Sequence, residues 1–394
     1  MTPNRHYAEL KNSYLFYHIA QKTAAYQKEH PDKRLLRMGI GDVTRPLCPA
    51  VIEALHAAVD DQAKSGSFHG YMPECGAPFF REAVAGFYAS RGIALDPDEV
   101  FVSSGASDEL GHILDLFDVS DTALVIEPAY PAYVDANVMS GRKVVHLSSS
   151  QENGFLPVPD AQTKADILYI CSPNNPTGAV FTREKLAAWV DYANRTGAVI
   201  LFDAAYEAFI GDPALPRSIF EIDGARTCAI EICSLSKTAG FTGTRCGYTI
   251  IPRELSRGGM NLHDMWVRNR TTKSNGVSYI LQRGGAAVFS PEGQRQIQEN
   301  IRVYKQNAAC LTAALDHAGV WYCGGKNAPY IWMKCPCDSS WEFFDTLLTR
   351  TQIVGTPGEG FGACGEGYFR FSMFGSPEDT AEAAARLEAL LTAR

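Results

Sequence analysis

The run Cys228-Ala229-Ile230-Glu231-Ile232, followed by Ser234-Leu235-Ser236-Lys237 and, eight positions further on, Arg245, decides how the chain is read. An apolar, strand-like segment delivers a lysine just past its end, with two hydroxyls beside it and a planar cation close behind. The construction recurs upstream. Ala198-Val199-Ile200-Leu201-Phe202 ends at Asp203, and Ile167-Leu168-Tyr169-Ile170 leads to Asn174-Asn175-Pro176-Thr177-Gly178. Val100-Phe101-Val102, Ala123-Leu124-Val125-Ile126 and Gly247-Tyr248-Thr249-Ile250-Ile251 add three more strands. Between the runs lie helical patterns over 108–117 and 133–139, and a third that Thr182 caps with Glu184 in its first turn. Continuous apolar strands alternating with helices predict an α/β fold, a mostly parallel sheet covered on both faces. Ligands on such sheets sit beyond the carboxyl ends of the strands, where Asn175, Asp203 and Lys237 fall.

The last hundred residues have a different rhythm. Helical stretches over 294–317 and 339–349 flank Pro329-Tyr330-Ile331-Trp332-Met333 and Tyr368-Phe369-Arg370-Phe371, predicting a smaller α+β layer closed by the Ala-rich helix after Pro377. Two domains suit a chain of 394 residues. Its 46% hydrophobic and 20% charged residues are ordinary globular composition. The net charge of -8, without a Lys/Arg run, argues against a nucleic-acid partner. Neither a leader-like apolar core nor an 18-residue apolar run is present, so a cytoplasmic protein with no membrane partner is expected. The 11 cysteines are odd in number and scattered through apolar runs, as reduced thiols are. Cys335-Pro336-Cys337 lacks partners at ligand spacing, and no metal site is expected.

The strand ends carry the chemistry. Lys237 can join an aldehyde through its amine, then act as a base once a substrate amine displaces it. Asp203, after a buried-looking strand, needs a cationic partner, which a protonated pyridine nitrogen supplies. Tyr206 and Asn175 can donate to a phenolate on the same ring. Arg245, with Ser234 and Ser236, offers a phosphate a fork and two hydroxyls. The loop Ser103-Ser104-Gly105-Ala106-Ser107 points its amides at the same anion from a strand–helix turn. Tyr130, in Glu127-Pro128-Ala129-Tyr130-Pro131, is placed to stack on the ring, and Arg370 interrupts an apolar strand where a substrate carboxylate would pair with it. Together these groups match pyridoxal 5'-phosphate. Read one at a time, they allow plainer roles: a surface lysine, a capping aspartate, an Asn-Pro turn, a core tyrosine, an internal salt bridge at Arg370.

In this order the motifs resemble fold-type I pyridoxal-phosphate aminotransferases. The resemblance spans essentially the whole chain and implies a seven-stranded, mostly parallel sheet in a large domain. The implied domains are an N-terminal arm over 1–47, a cofactor-binding domain over 48–288 and a small domain over 289–394 joined by that arm. Lys11-Asn12-Ser13-Tyr14-Leu15-Phe16, Gly39-Ile40-Gly41-Asp42, Gly70-Tyr71-Met72-Pro73-Glu74 and Thr272-Lys273-Ser274-Asn275-Gly276 are similar to the LL-diaminopimelate aminotransferase family. This resemblance implies amino transfer between LL-2,6-diaminopimelate and 2-oxoglutarate in lysine synthesis, by a homodimer with shared active sites. Tyr71 would then reach the neighbouring subunit's phosphate. Tyr14, Glu74 and Asn275 would line the partner's substrate pocket, with Gly41, Tyr130, Asn175 and Arg370 in the chain's own. Ser107 departs from the lysine common at its position in the family. An aspartate or aromatic aminotransferase and a carbon–sulfur β-lyase are the alternatives that keep the cofactor.

Overall fold

The computed structural model describes residues 1–10, 15–39 and 41–393. After a two-residue strand β1 (Leu36–Arg37) come the seven strands of the central sheet. They are β2 (Val100–Ser103), β3 (Ala123–Glu127), β4 (Val144–Ser148), β5 (Ile167–Cys171), β6 (Val199–Asp203), β7 (Ala229–Ser234) and β8 (Gly247–Ile250). Their order is β2-β8-β7-β6-β5-β3-β4. Only β8 runs against its neighbours. Every residue of β5, β6 and β7 is buried, as a sheet with both faces covered requires.

The helices up to the C-terminal layer, in chain order, are α1 (Leu15–Glu29), α2 (Pro49–Gln62), α3 (Pro78–Ala89), α4 (Ala106–His112), α5 (Ala132–Met139), α6 (Arg183–Thr196), α7 (Leu235–Ala239), α8 (Leu262–Lys273), α9 (Tyr279–Ala287) and α10 (Pro291–His317). The sequence logic is plain in α6. Thr182 accepts the Lys185 amide at 3.4 Å, Gly197 ends the helix in the left-handed region, and Leu186, Trp189, Val190 and Ala193 form the buried stripe at helical spacing. Truncating Trp189, fully buried in that stripe, would cost about 3–5 kcal/mol.

A second, antiparallel sheet follows the hairpin β9 (Ser256–Arg257) and β10 (Met260–Asn261) in the chain. Its strands are β11 (Tyr322–Gly324), β12 (Tyr330–Lys334), β14 (Thr356–Pro357) and β15 (Tyr368–Ser372), in the order β11-β12-β15-β14. Strand β13 (Ile353–Val354) pairs in parallel with β1, Leu36 opposite Ile353 and Arg37 opposite Val354. Helices α11 (Ser340–Thr351) and α12 (Pro377–Thr392) complete this layer. The Lys22 ammonium meets Asp345 of α11 at 2.6 Å, so α1 too is tied to the C-terminal layer.

Two details differ from expectation. The helix expected over 108–117 starts at Ala106, because Gly105, at φ 114°, turns the chain at its N-cap. It passes into a 3-10 turn over Ile113–Leu116 instead of running on. The edge strand β4 gave no clear signal, since Val144-Val145-His146-Leu147 is short and only partly buried.

Candidate active site

Strand polarity gathers the site. Asp203 ends β6, Ser234 ends β7, Asn175 lies four residues past β5, and Tyr130 three past β3. Because β8 runs the other way, its first residue meets those ends: Gly247 is opposite both Ser103 and Ser234. Arg245, two residues before Gly247, is thereby brought to the Gly105 loop.

Two cavities share one wall. The smaller, about 140 Å³, is lined by Ala106, Ser107, Tyr133, Asp203, Ser234 and Ser236 among others. The larger, about 540 Å³, adds Gly41, Asp42, Tyr330, Thr356 and Arg370, with Phe16 and Ile19 of α1. Tyr130, Asn175, Tyr206, Lys237 and Arg245 line both.

Lys237 donates to the Gly41 carbonyl. Burial pulls its ammonium down to about 8, Arg245 and Arg370 push the same way, and Asp42 opposes them. A lysine so placed reaches its neutral, nucleophilic form near physiological pH. Asp203 is 6% exposed and accepts from the Tyr133 hydroxyl at 2.6 Å and the Ala205 amide at 3.0 Å. Burial raises its pKa although both bonds oppose the rise. It has no cationic partner among the described residues.

Arg245 donates to the Ser236 hydroxyl at 3.1 Å and to the Thr242 carbonyl at 3.3 Å. A Cβ on Gly105 would stand 2.7 Å from the Arg245 Nη2, so only glycine lets the guanidinium approach the loop this closely. The loop adds the Ala106 and Ser107 amides, which open α4 without intrahelical acceptors. Arg370, 1% exposed, donates to Asn175 Oδ1 at 2.6 Å and to the Gly39 carbonyl at 2.8 Å. Asn175 therefore offers its amide hydrogens, rather than its carbonyl, to a neighbour in the cavities.

Not every expected residue lies here. Ser104 is exposed and lines a neighbouring cavity with Arg270 and Lys273, not the smaller one, because Gly105 turns the chain after it. Tyr71 is 89% exposed, and neither it, Glu74 nor Asn275 lines either site cavity. The segments carrying them are packed together, since a Cβ on Gly276 would stand 2.7 Å from the Met72 carbonyl oxygen. Tyr14 lies outside the described residues. Tyr133, Asp42 and Tyr330 escaped the sequence reading. Tyr133 follows Tyr130 by one helical turn and Asp42 ends a motif already singled out, so both had a local signal.

The donor set fits pyridoxal phosphate. Asp203 is a buried carboxylate that lacks a cation among the described residues, and the glycine-cleared cradle at Gly105 and Arg245 suits an anion. Lys237, with its lowered pKa, stands beside both.

The chain belongs to the class I and II aminotransferases, whose family pattern matches residues 33–387. Within that class it is 51% identical to an LL-diaminopimelate aminotransferase of Lawsonia intracellularis, over 98% of both chains. It is 50% identical to one of Lachnospira eligens, over 98% of this chain and 99% of the other. The solved L,L-diaminopimelate aminotransferase of Chlamydomonas reinhardtii superposes with a TM-score of 0.93 at 39% identity, covering 99% of this chain and 98% of that one.

Proposed function

We propose that the protein is a pyridoxal-phosphate-dependent aminotransferase that moves an amino group between LL-2,6-diaminopimelate and 2-oxoglutarate. Tetrahydrodipicolinate and glutamate are the products, and the step serves lysine and diaminopimelate synthesis in the cytoplasm. One observation carries the chemistry: a half-buried lysine with a lowered pKa lines the cavities of both a buried carboxylate, which has no cationic partner among the described residues, and a buried arginine. The choice of substrate rests on the relatives named above.

When bound, the cofactor supplies a ring that accepts the electrons left by removal of a substrate α-proton. Asp203, held by Tyr133 and the Ala205 amide, would keep that ring cationic. Arg245, Ser234, Ser236 and the Gly105-Ala106-Ser107 turn would hold its phosphate, and Tyr130 would cover one face. Arg370 would take the α-carboxylate, and Lys237, freed by the incoming amine, would carry the proton. Residues 48–288 would be the cofactor-holding domain, with 1–47 and 289–394 forming the smaller one.

A homodimer is part of the reading. Tyr71, Glu74 and Asn275 lie on surface segments that pack together, so a second copy can receive all three. Glu74 would pair with the distal ammonium of diaminopimelate, where an aspartate-specific enzyme would place a cation.

The purified protein should be yellow. LL-diaminopimelate should bleach the visible band, and 2-oxoglutarate should restore it. Bleaching by aspartate or an aromatic amino acid but not by diaminopimelate would overturn the substrate, and a colourless protein that takes up no pyridoxal phosphate would overturn the chemistry.

A further inference from the structure

Tyr330, on β12 of the C-terminal sheet, stands between two groups that the proposed reaction uses. Its hydroxyl lies 2.9 Å from that of Tyr206, and both tyrosines are buried, at 1% and 7% exposure. Among the described residues each hydroxyl is the other's only hydrogen-bond partner. The Arg370 guanidinium sits 4.4 Å from the centroid of the Tyr330 ring, and a Cβ on Gly41 would come within 2.9 Å of the Tyr330 hydroxyl. The ring is thus fixed between Gly41, Tyr206 and Arg370.

Two hydroxyls in such a pair share one hydrogen, and the second must point elsewhere. A cation against the ring makes Tyr330 the better donor. Tyr330 then donates, Tyr206 accepts, and the Tyr206 hydrogen is left for the smaller cavity, which Tyr206 lines and Tyr330 does not. Donation into a hydroxyl strengthens that hydroxyl's own donation in turn.

We propose that Tyr330 is a positioning residue: it aims the Tyr206 hydroxyl at the cofactor and reports to it whether Arg370 carries a carboxylate. The inference rests on the function proposed above and goes beyond it. A carboxylate on Arg370 neutralises the cation beside the ring, so Tyr330 donates less, Tyr206 donates less, and the phenolate it serves is less stabilised. One consequence is a link between the substrate's acid group and the protonation of the lysine–cofactor bond. Asn175, held by Arg370 at 2.6 Å, is the parallel and direct route.

The test is the pH titration of the visible spectrum of the holoenzyme. Tyr330→Phe keeps the ring and removes the hydroxyl. Its spectral midpoint should rise by about half to one pH unit, the worth of one hydrogen bond. Glutarate, a dicarboxylate that cannot be transaminated, should raise the wild-type midpoint more than that of Y330F. Tyr206→Phe should raise it at least as far, and Y330F added to Y206F should change nothing further. Gly41→Ala crowds the same hydroxyl without altering the ring and should raise the midpoint too, which serves if Y330F does not fold. A Y330F midpoint equal to wild type, or additive shifts in the double variant, would overturn the role of Tyr330. A wild-type protein with no visible band would instead overturn the cofactor reading.

Discussion

At the residue scale, electrostatics assigns the roles. Lys237 is held near 8 mainly by burial, with two arginines adding to the effect. For a lysine with a lowered pKa, the neutral form gains as pH rises through the shifted value. Cofactor capture by the stripped protein should therefore speed up by about tenfold per unit below pH 8 and flatten above it. Stopped-flow absorbance checks this, and a rate still climbing beyond pH 10 would mean an ordinary lysine. Arg370 holds Asn175 and the Gly39 carbonyl with separate arms of one fork. Lysine has no second arm. Arg370→Lys should weaken the apparent affinity for every amino-acid substrate by about 10- to 100-fold, matching about 1.5–3 kcal/mol for a charged hydrogen bond. Steady-state titration with diaminopimelate and glutamate measures the loss, and unchanged affinity for both would place the carboxylate elsewhere.

At the scale of elements, the site is a product of strand direction. Six strands present their carboxyl ends and β8 its amino end, which carries Arg245 to the Gly105 turn. Gly105→Ala would put a Cβ at φ 114° and 2.7 Å from the Arg245 Nη2. Strain of about 1–3 kcal/mol should appear as a lower melting temperature and weaker cofactor retention on dialysis. A variant as stable and as yellow as wild type would show that the turn is not a cradle. The same geometry explains what the sequence allowed to be read. Lys237, Asp203 and Asn175 were legible because a polar residue shortly past a fully apolar run is a strong signal, and Arg245 because it follows Lys237 by eight positions and leads into the next apolar run. Tyr330 was not, since a tyrosine inside Tyr330-Ile331-Trp332-Met333 looks like any core aromatic until β12 is folded against Tyr206. Ser104 lines the neighbouring cavity instead, because adjacency in the chain says nothing about which side of a glycine turn a side chain takes. The β4 edge was lost for want of a buried face on both sides.

At the scale of the whole molecule, several of the described residues expected at the site stand outside its two cavities. Tyr71, at 89% exposure, is a large aromatic side chain left almost wholly uncovered by its own subunit. Glu74 and Asn275 are likewise absent from the walls of both site cavities. In a two-fold dimer, any residue lent across the interface is returned by its mate, so two sites form together. Mixing two inactive proteins tests this arrangement. Lys237→Ala leaves its own site without the amine but still lends an intact Tyr71. Tyr71→Ala keeps its amine and borrows the tyrosine it lacks. Refolding equal amounts together makes half the dimers mixed, each with one sound site in two, so activity should return to about a quarter of wild type. If Tyr71 instead served the subunit that carries it, every mixed dimer would hold two damaged sites, and the refolded mixture would stay as inactive as its parents.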